Sequence, residues 1–119
     1  MAGWEDKRKH PRAPTRCMIR YRDPSEADVR KSELSTARDL SEGGARFTSG
    51  KAFQVGDHLD FEITCPSFPD PIKVKGEVRW NHEIRKGILY ENGVRFLDLS
   101  QEDQETIREI VAHLIKKSS

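Results

Sequence analysis

The chain has 119 residues, with 21 basic and 20 acidic side chains for a formal net charge of +1, and hydrophobic and charged residues each make up 34%. That length suits a single domain with one modest core, and no apolar run approaches the roughly 20 residues that cross a bilayer. Near-neutrality argues against a protein that coats long nucleic acid, and the opening residues lack the apolar stretch of a signal peptide, so a cytoplasmic protein is expected.

Residues 1–14 combine Lys7, Arg8, Lys9 and Arg12 with Pro11 and Pro14. Each proline biases the residue before it toward an extended conformation. The segment therefore reads as an exposed basic arm, and residues 15–119 as the folded domain. The cations continue through Arg16, Arg20 and Arg22, a crowding that points to a local anion site.

From Thr15 the pattern has period two. Cys17, Ile19 and Tyr21 alternate with Arg16, Arg20 and Arg22, which predicts a half-buried strand with Met18 as the exception. "DPSEAD" reads as a loop, "VRKSELSTA" as the approach to a second strand, and "DLSEGG" as a turn before a short strand through "ARF". After a turn at "QVGDH", Leu59, Phe61, Ile63 and Cys65 predict another strand. The three prolines of "CPSFPDP" predict a loop. Ile72, Val74, Gly76, Val78 and Trp80 then alternate with charged residues, "NHEIRKG" reads as a turn, and "ILYENGVRFL" as the last strand.

The end changes period. Ser100 with Asp103 resembles a capping box, and Ile107, Ile110, Val111 and Leu114 follow at helical spacing. Glu102 and Glu105 stand near the start and Lys116 and Lys117 at the end, an order that suits the helix dipole. The fold class expected is mainly β: about six short antiparallel strands closing into a barrel, with a C-terminal amphipathic helix over one opening.

Cys17 and Cys65 both fall at inward strand positions and are expected to be buried, reduced thiols. The four histidines are scattered and form no ligand spacing with a cysteine, so no metal is expected. No nucleophile–base pair or paired carboxylates stand out, and an enzyme is not expected.

Two motifs carry a family resemblance. Arg8-Lys9-His10-Pro11-Arg12 is an RxxxR motif, and Asp39-Leu40-Ser41-Glu42-Gly43-Gly44 is a DxSxxG motif. In that order, ahead of a barrel and a terminal helix, they resemble the PilZ domain, a family of bacterial receptors for cyclic di-GMP. The later "GVRFLDLS" resembles the last strand of that family, and the likeness runs from about Asp6 to the end of the helix. It implies a six-stranded PilZ-type barrel and a ligand held by Arg8, Arg12, Asp39, Ser41, Gly43 and Gly44.

The chemistry of those residues suits such a ligand. A guanidinium presents a planar fork that matches a phosphate or the O6/N7 edge of guanine. The Watson–Crick edge of guanine carries two donors that the Asp39 carboxylate can accept, and Ser41 can serve a phosphate oxygen or a second base contact. Gly43 and Gly44 let ligand or arm approach the backbone and permit positive φ. Lys7 could add a cation for a second nucleotide, or be solvated. Trp80 could stack on a purine, or share the core with Ile72, Val74 and Val78, whose parity it has. Arg46 and Arg95 read as outward strand residues without assigned function.

The implied function is a cyclic di-GMP receptor whose arm changes conformation on binding and signals to an unidentified partner protein. A PilZ-fold adaptor that binds protein and no nucleotide is the alternative. A single-strand binder would need several exposed aromatics along a basic groove, and the nine aromatics fall mostly at inward positions.

Overall fold

The computed structural model describes residues 13–28 and 30–118. In chain order the strands are β1 (Ala13–Pro14), β2 (Met18–Arg22), β3 (Glu33–Ser41), β4 (Gly44–Ser49), β5 (His58–Cys65), β6 (Phe68–Arg85) and β7 (Leu89–Leu97), followed by helix α1 (Gln101–Ser118). The sheet order is β1-β3-β2-β5-β6-β7-β4, and an added β3–β4 pairing closes it. Every pairing is antiparallel, so six long strands form a closed barrel and the short β1 lies along β3. Closure removes the open edges that a six-stranded sheet would otherwise expose.

The alternation predicts the inner face. Ile19 and Tyr21 from β2, Phe61 and Ile63 from β5, and Ile72, Val74 and Val78 from β6 are buried, while Met18 is exposed. Tyr21, Phe47 and Phe61 pack ring on ring at the centre, with centroids 5.0 and 5.4 Å apart. In α1, Ile107, Ile110 and Val111 complete the same core, and the helix packs against β1 and β3. Its start is capped as expected: the Asp103 amide donates to Ser100 Oγ at 3.0 Å.

Several expectations are corrected. Cys17 and Cys65 face inward but are joined in a disulfide, with Cα atoms 4.2 Å apart. The β2–β5 ladder pairs Met18 with Thr64, so the two cysteines are the next opposed residues on neighbouring strands. "DLSEGG" is a turn only at Glu42 and Gly43, because β3 runs on through Ser41 with Leu40 in the core. "CPSFPDP" turns at Pro66-Ser67, and β6 begins at Phe68. Its prolines sit where the β6–β7 pairing, which reaches only to Lys75, leaves one edge without a partner strand. "NHEIRKG" extends β6 to Arg85 before the chain turns.

The glycines of the motif also depart from expectation. Among the described residues, positive φ at glycine occurs at Gly56 and Gly87 and not at Gly43 or Gly44. Gly44 is required by space instead. A Cβ there would overlap the carbonyl oxygen of Val94 on β7.

Candidate functional site

Two rows of residues cross the outer face of the barrel where β3, β4, β7 and β6 lie side by side. The first row is Asp39, Arg46, Gly93 and Trp80, each registered with the next. The second, two residues along β3, β4 and β7 and three along β6, is Ser41, Gly44, Arg95 and Glu77. Two residues of strand separate the rows by roughly 7 Å.

The acid end of the first row is nearly enclosed. Asp39 is 8% exposed and Glu91 8%, and Arg46 Nε lies 3.1 Å from Asp39 Oδ2 and 3.8 Å from Glu91 Oε2. His82 Nε2 stands 3.9 Å from the other oxygen of Glu91. Among the described residues, two carboxylates stand around this one guanidinium, in a setting where charge is weakly screened.

In the second row Glu77 Oε1 is shared by Arg79 Nη1 at 3.4 Å and Arg95 Nη2 at 3.2 Å. Arg79 and Arg95 border a cleft of about 810 Å3 that is also lined by Ser41, Glu42, Gly43, Gly44, Trp80 and Asp98. Charge of both signs thus stands along the site: Arg46 between Asp39 and Glu91 in one part, and Arg79 and Arg95 with Glu77, Glu42 and Asp98 in the other.

Trp80 is on this surface and not in the core. The β6–β7 register shifts between Val78 and Trp80, a bulge that sets one extra residue against the partner strand and reverses the face of the residues after it. Trp80 is 37% exposed as a result, while Asn81 turns inward and donates its side-chain amide to the Phe53 carbonyl. The indole lies over Gly93, where a Cβ would strike its Nε1 and Cε2 atoms, and it stacks on the His82 ring at an interplanar angle of 12°. Parity alone put Trp80 inside. The bulge could not be read from one strand.

Ser41 organises the turn. Its Oγ accepts from the amides of Gly43 at 3.3 Å and Gly44 at 3.2 Å. Phe96 donates its amide to the Gly43 carbonyl at 2.9 Å, which pins the turn to β7. Glu42, between Ser41 and Gly43, accepts two bonds from Arg108 of α1 at 2.7 and 3.1 Å. These bonds raise the pKa of the Arg108 guanidinium further.

Asp39, Ser41, Gly43 and Gly44 are therefore neighbours at one site, with Trp80 across β4 and β7 from Asp39. Lys7, Arg8 and Arg12 lie outside the described residues. Arg46, Arg79 and Arg95 border the site but carry no sequence signal beyond an outward strand position, because what marks them is their partners on other strands.

Elsewhere, a hollow of about 630 Å3 lies on the β2–β5–β6 flank. Its charges cancel across strands, with Arg22 Nη1 3.5 Å from Asp60 and Arg20 Nε 4.0 Å from Glu62. Among the described residues no His, Cys, Asp or Glu side chains cluster as metal ligands, and no helix is long and apolar enough to cross a membrane.

No curated protein shows a significant sequence match to the chain. Solved structures match its fold. The PilZ domain of YcgR from Escherichia coli, described with c-di-GMP, superposes with a TM-score of 0.71 at 14% identity and covers 94% of each chain. The K. pneumonia MrkH–c-di-GMP complex superposes at 0.75 with 17% identity over 94% of this chain and 54% of MrkH. The Bacillus subtilis inhibitor of motility MotI/DgrA does so at 0.73 with 16% identity, over 94% and 51%. The chain thus spans nearly all of the YcgR domain and about half of the other two proteins. Residues 6–113, most of the chain, match the PilZ domain, and with the closed barrel and terminal helix in place, the protein belongs to the PilZ domain family.

Proposed function

We propose that this chain is a non-catalytic receptor for cyclic di-GMP, acting in the cytoplasm. The observation that carries the reading is the neighbourhood of Asp39, Ser41, Gly43, Gly44 and Trp80 on one face. Asp39 and Trp80 stand at the two ends of one row across the strands, and Arg79 and Arg95 border the cleft by Ser41, Gly43 and Gly44. A guanine brings a donor edge for a carboxylate and its phosphates bring charge for guanidiniums. An acid beside a dianionic ligand makes sense when the base, not the phosphate, meets Asp39. Trp80 offers an indole face for the purine, and two of the structural neighbours are described with c-di-GMP.

The remaining grip comes from the arm, residues 1–14. Ala13 pairs with Leu40 and Pro14 with Asp39, so the described end of the arm joins the barrel beside Asp39. Arg12 and Arg8 then clasp the ligand from outside, and Lys7 adds a cation. Bidentate contacts at ~1–3 kcal/mol each, set against ~1–2 kcal/mol for each arm residue ordered, are compatible with a Kd on the order of micromolar or tighter. The ordered arm with the bound ligand forms the surface offered to a partner protein.

Titration calorimetry with cyclic di-GMP tests the reading. Binding is expected for the wild type, with a loss of about 10- to 100-fold for Arg12→Ala and for Asp39→Ala. Absence of heat with the wild type would leave the adaptor reading in its place, and wild-type affinity in both variants would put the ligand somewhere other than between Arg12 and Asp39.

A further inference from the structure

The disulfide is the one covalent link between distant parts of the described chain, and it lies at the root of the segment that leads to the site. We propose that Cys17 and Cys65 form a reversible thiol–disulfide couple that tunes the ligand affinity of the Asp39 site. The inference rests on the receptor reading above.

The backbone prepares the pair in either redox state. Ile19 faces Ile63 and Met18 faces Thr64 in the β2–β5 ladder, and continuing that register by one residue sets Cys17 opposite Cys65, with Cα atoms 4.2 Å apart in the bridged pair. Opposed residues of an antiparallel pair lie roughly 4.5–5.5 Å apart without any covalent link. Reduction therefore leaves two neighbouring thiols, and the bond can re-form without a search.

The local chemistry gives the exchange a direction. Cys65 ends β5, next to the Pro66-Ser67 turn, and is 5% exposed, while Cys17 is fully buried. A glutathione thiolate thus reaches Cys65 first. It forms a mixed disulfide there and expels Cys17 as a thiolate. The Thr15 hydroxyl, 2.7 Å from Cys17 Sγ, donates to that leaving sulfur and favours its charged form. A second glutathione thiolate releases Cys65, so two glutathione thiols become one glutathione disulfide while the protein bridge becomes two thiols. Oxidation by glutathione disulfide runs the same steps backwards.

The coupling to the site is carried by backbone bonds. Ala37 donates its amide to the Cys17 carbonyl at 2.9 Å, Thr15 donates its amide to the Arg38 carbonyl at 3.3 Å, and Pro14 is registered with Asp39. The stretch 14–17 is thereby laced to the stretch 37–39, and the disulfide ties the same stretch to β5. The oxidised form holds Asp39 in place against three strands, and the reduced form holds it with one tether fewer. Linkage makes the effect reciprocal: the factor by which the bridge tightens the ligand is the factor by which the ligand favours the bridge.

The test uses the whole chain in graded glutathione and glutathione disulfide buffers, with and without saturating cyclic di-GMP. The oxidised fraction is read by thiol alkylation and mass spectrometry, and affinity by calorimetry on the oxidised and reduced forms. The expected result is about tenfold tighter binding when oxidised, within the usual range of coupling, and an equal shift of the glutathione midpoint toward the bridge. Cys17→Ser/Cys65→Ser is expected to bind like the reduced protein and to ignore the buffer. Equal affinities with an unmoved midpoint would overturn the coupling alone. So would a bridge that no glutathione ratio reduces, or a reduced chain whose circular dichroism shows it unfolded, since either makes the link purely structural. Heat in neither state would overturn the receptor reading and the coupling with it.

Discussion

The barrel has two charged flanks that resemble each other in composition and differ in what their charges do. On the β2–β5–β6 flank, Arg20, Arg22, Asp60, Glu62, Lys73 and Lys75 alternate with core residues and pair across strands in solvent. Such exposed pairs contribute little to stability. On the β3–β4–β7–β6 flank, carboxylates are nearly buried around Arg46, and glycine at positions 44 and 93 thins the sheet so that Val94 and Trp80 lie against it. The first flank is held together on its inner side by Cys17–Cys65, the second by close backbone approach and an enclosed ion network.

The contrast can be broken at several points. The largest effect is expected from removing the bridge. Cys17 and Cys65 are separated by 48 residues, and closing a loop of that order stabilises by about 4 kcal/mol in the chain-entropy picture. Denaturant unfolding of the reduced against the oxidised protein measures it.

Gly44→Ala comes next. The added methyl meets backbone at Val94 O, which cannot rotate away, so a loss of about 3 kcal/mol is expected in the same assay.

Arg46→Ala sharpens the comparison directly. It leaves Asp39 and Glu91 without the guanidinium between them, for a loss of about 2 kcal/mol, whereas Arg20→Ala on the other flank is expected to change stability by less than about 0.5 kcal/mol. Equal losses from the two substitutions would erase the distinction between the flanks.

Gly93→Ala is milder, about 1 kcal/mol, because the atom it strikes belongs to a side chain that can swing away. Its signature is a red shift in Trp80 fluorescence together with weaker cyclic di-GMP binding.

The smallest effect belongs to Asp23, in the loop after β2. Hydrogen bonds from the Ser25 hydroxyl and amide hold its carboxyl below the usual carboxylate range. A depressed folded-state pKa contributes stability that is present above the unfolded value and lost as pH falls through the folded one. NMR titration should find Asp23 low in the wild type and nearer the ordinary value in Ser25→Ala.

Much of this architecture was written in local pattern. Period-two runs such as Leu59, Phe61, Ile63 and Cys65 announce strands because successive side chains must face opposite sides of a sheet. The Ser100–Asp103 spacing announced the helix start, since capping is a contact between near neighbours. DxSxxG likewise marked a turn whose hydroxyl and amides bond within three residues.

What the chain could not disclose by itself depended on partners far away in sequence. The disulfide needed the β2–β5 register, Arg46 needed Asp39 on one neighbouring strand and Glu91 on the other, and the outward turn of Trp80 needed a bulge defined only against Gly93. Alternation tells which side of a strand a residue occupies, and closure of the barrel tells what stands opposite it. Sequence alone therefore marked the alternating part of the strands, the helix and the turn motif, because these arise from contacts within a few positions, while the full length of β6 did not show in it. Tertiary structure decided the charge balance of the cleft and the state of the cysteines, because electrostatic and covalent partners are set by distance in space.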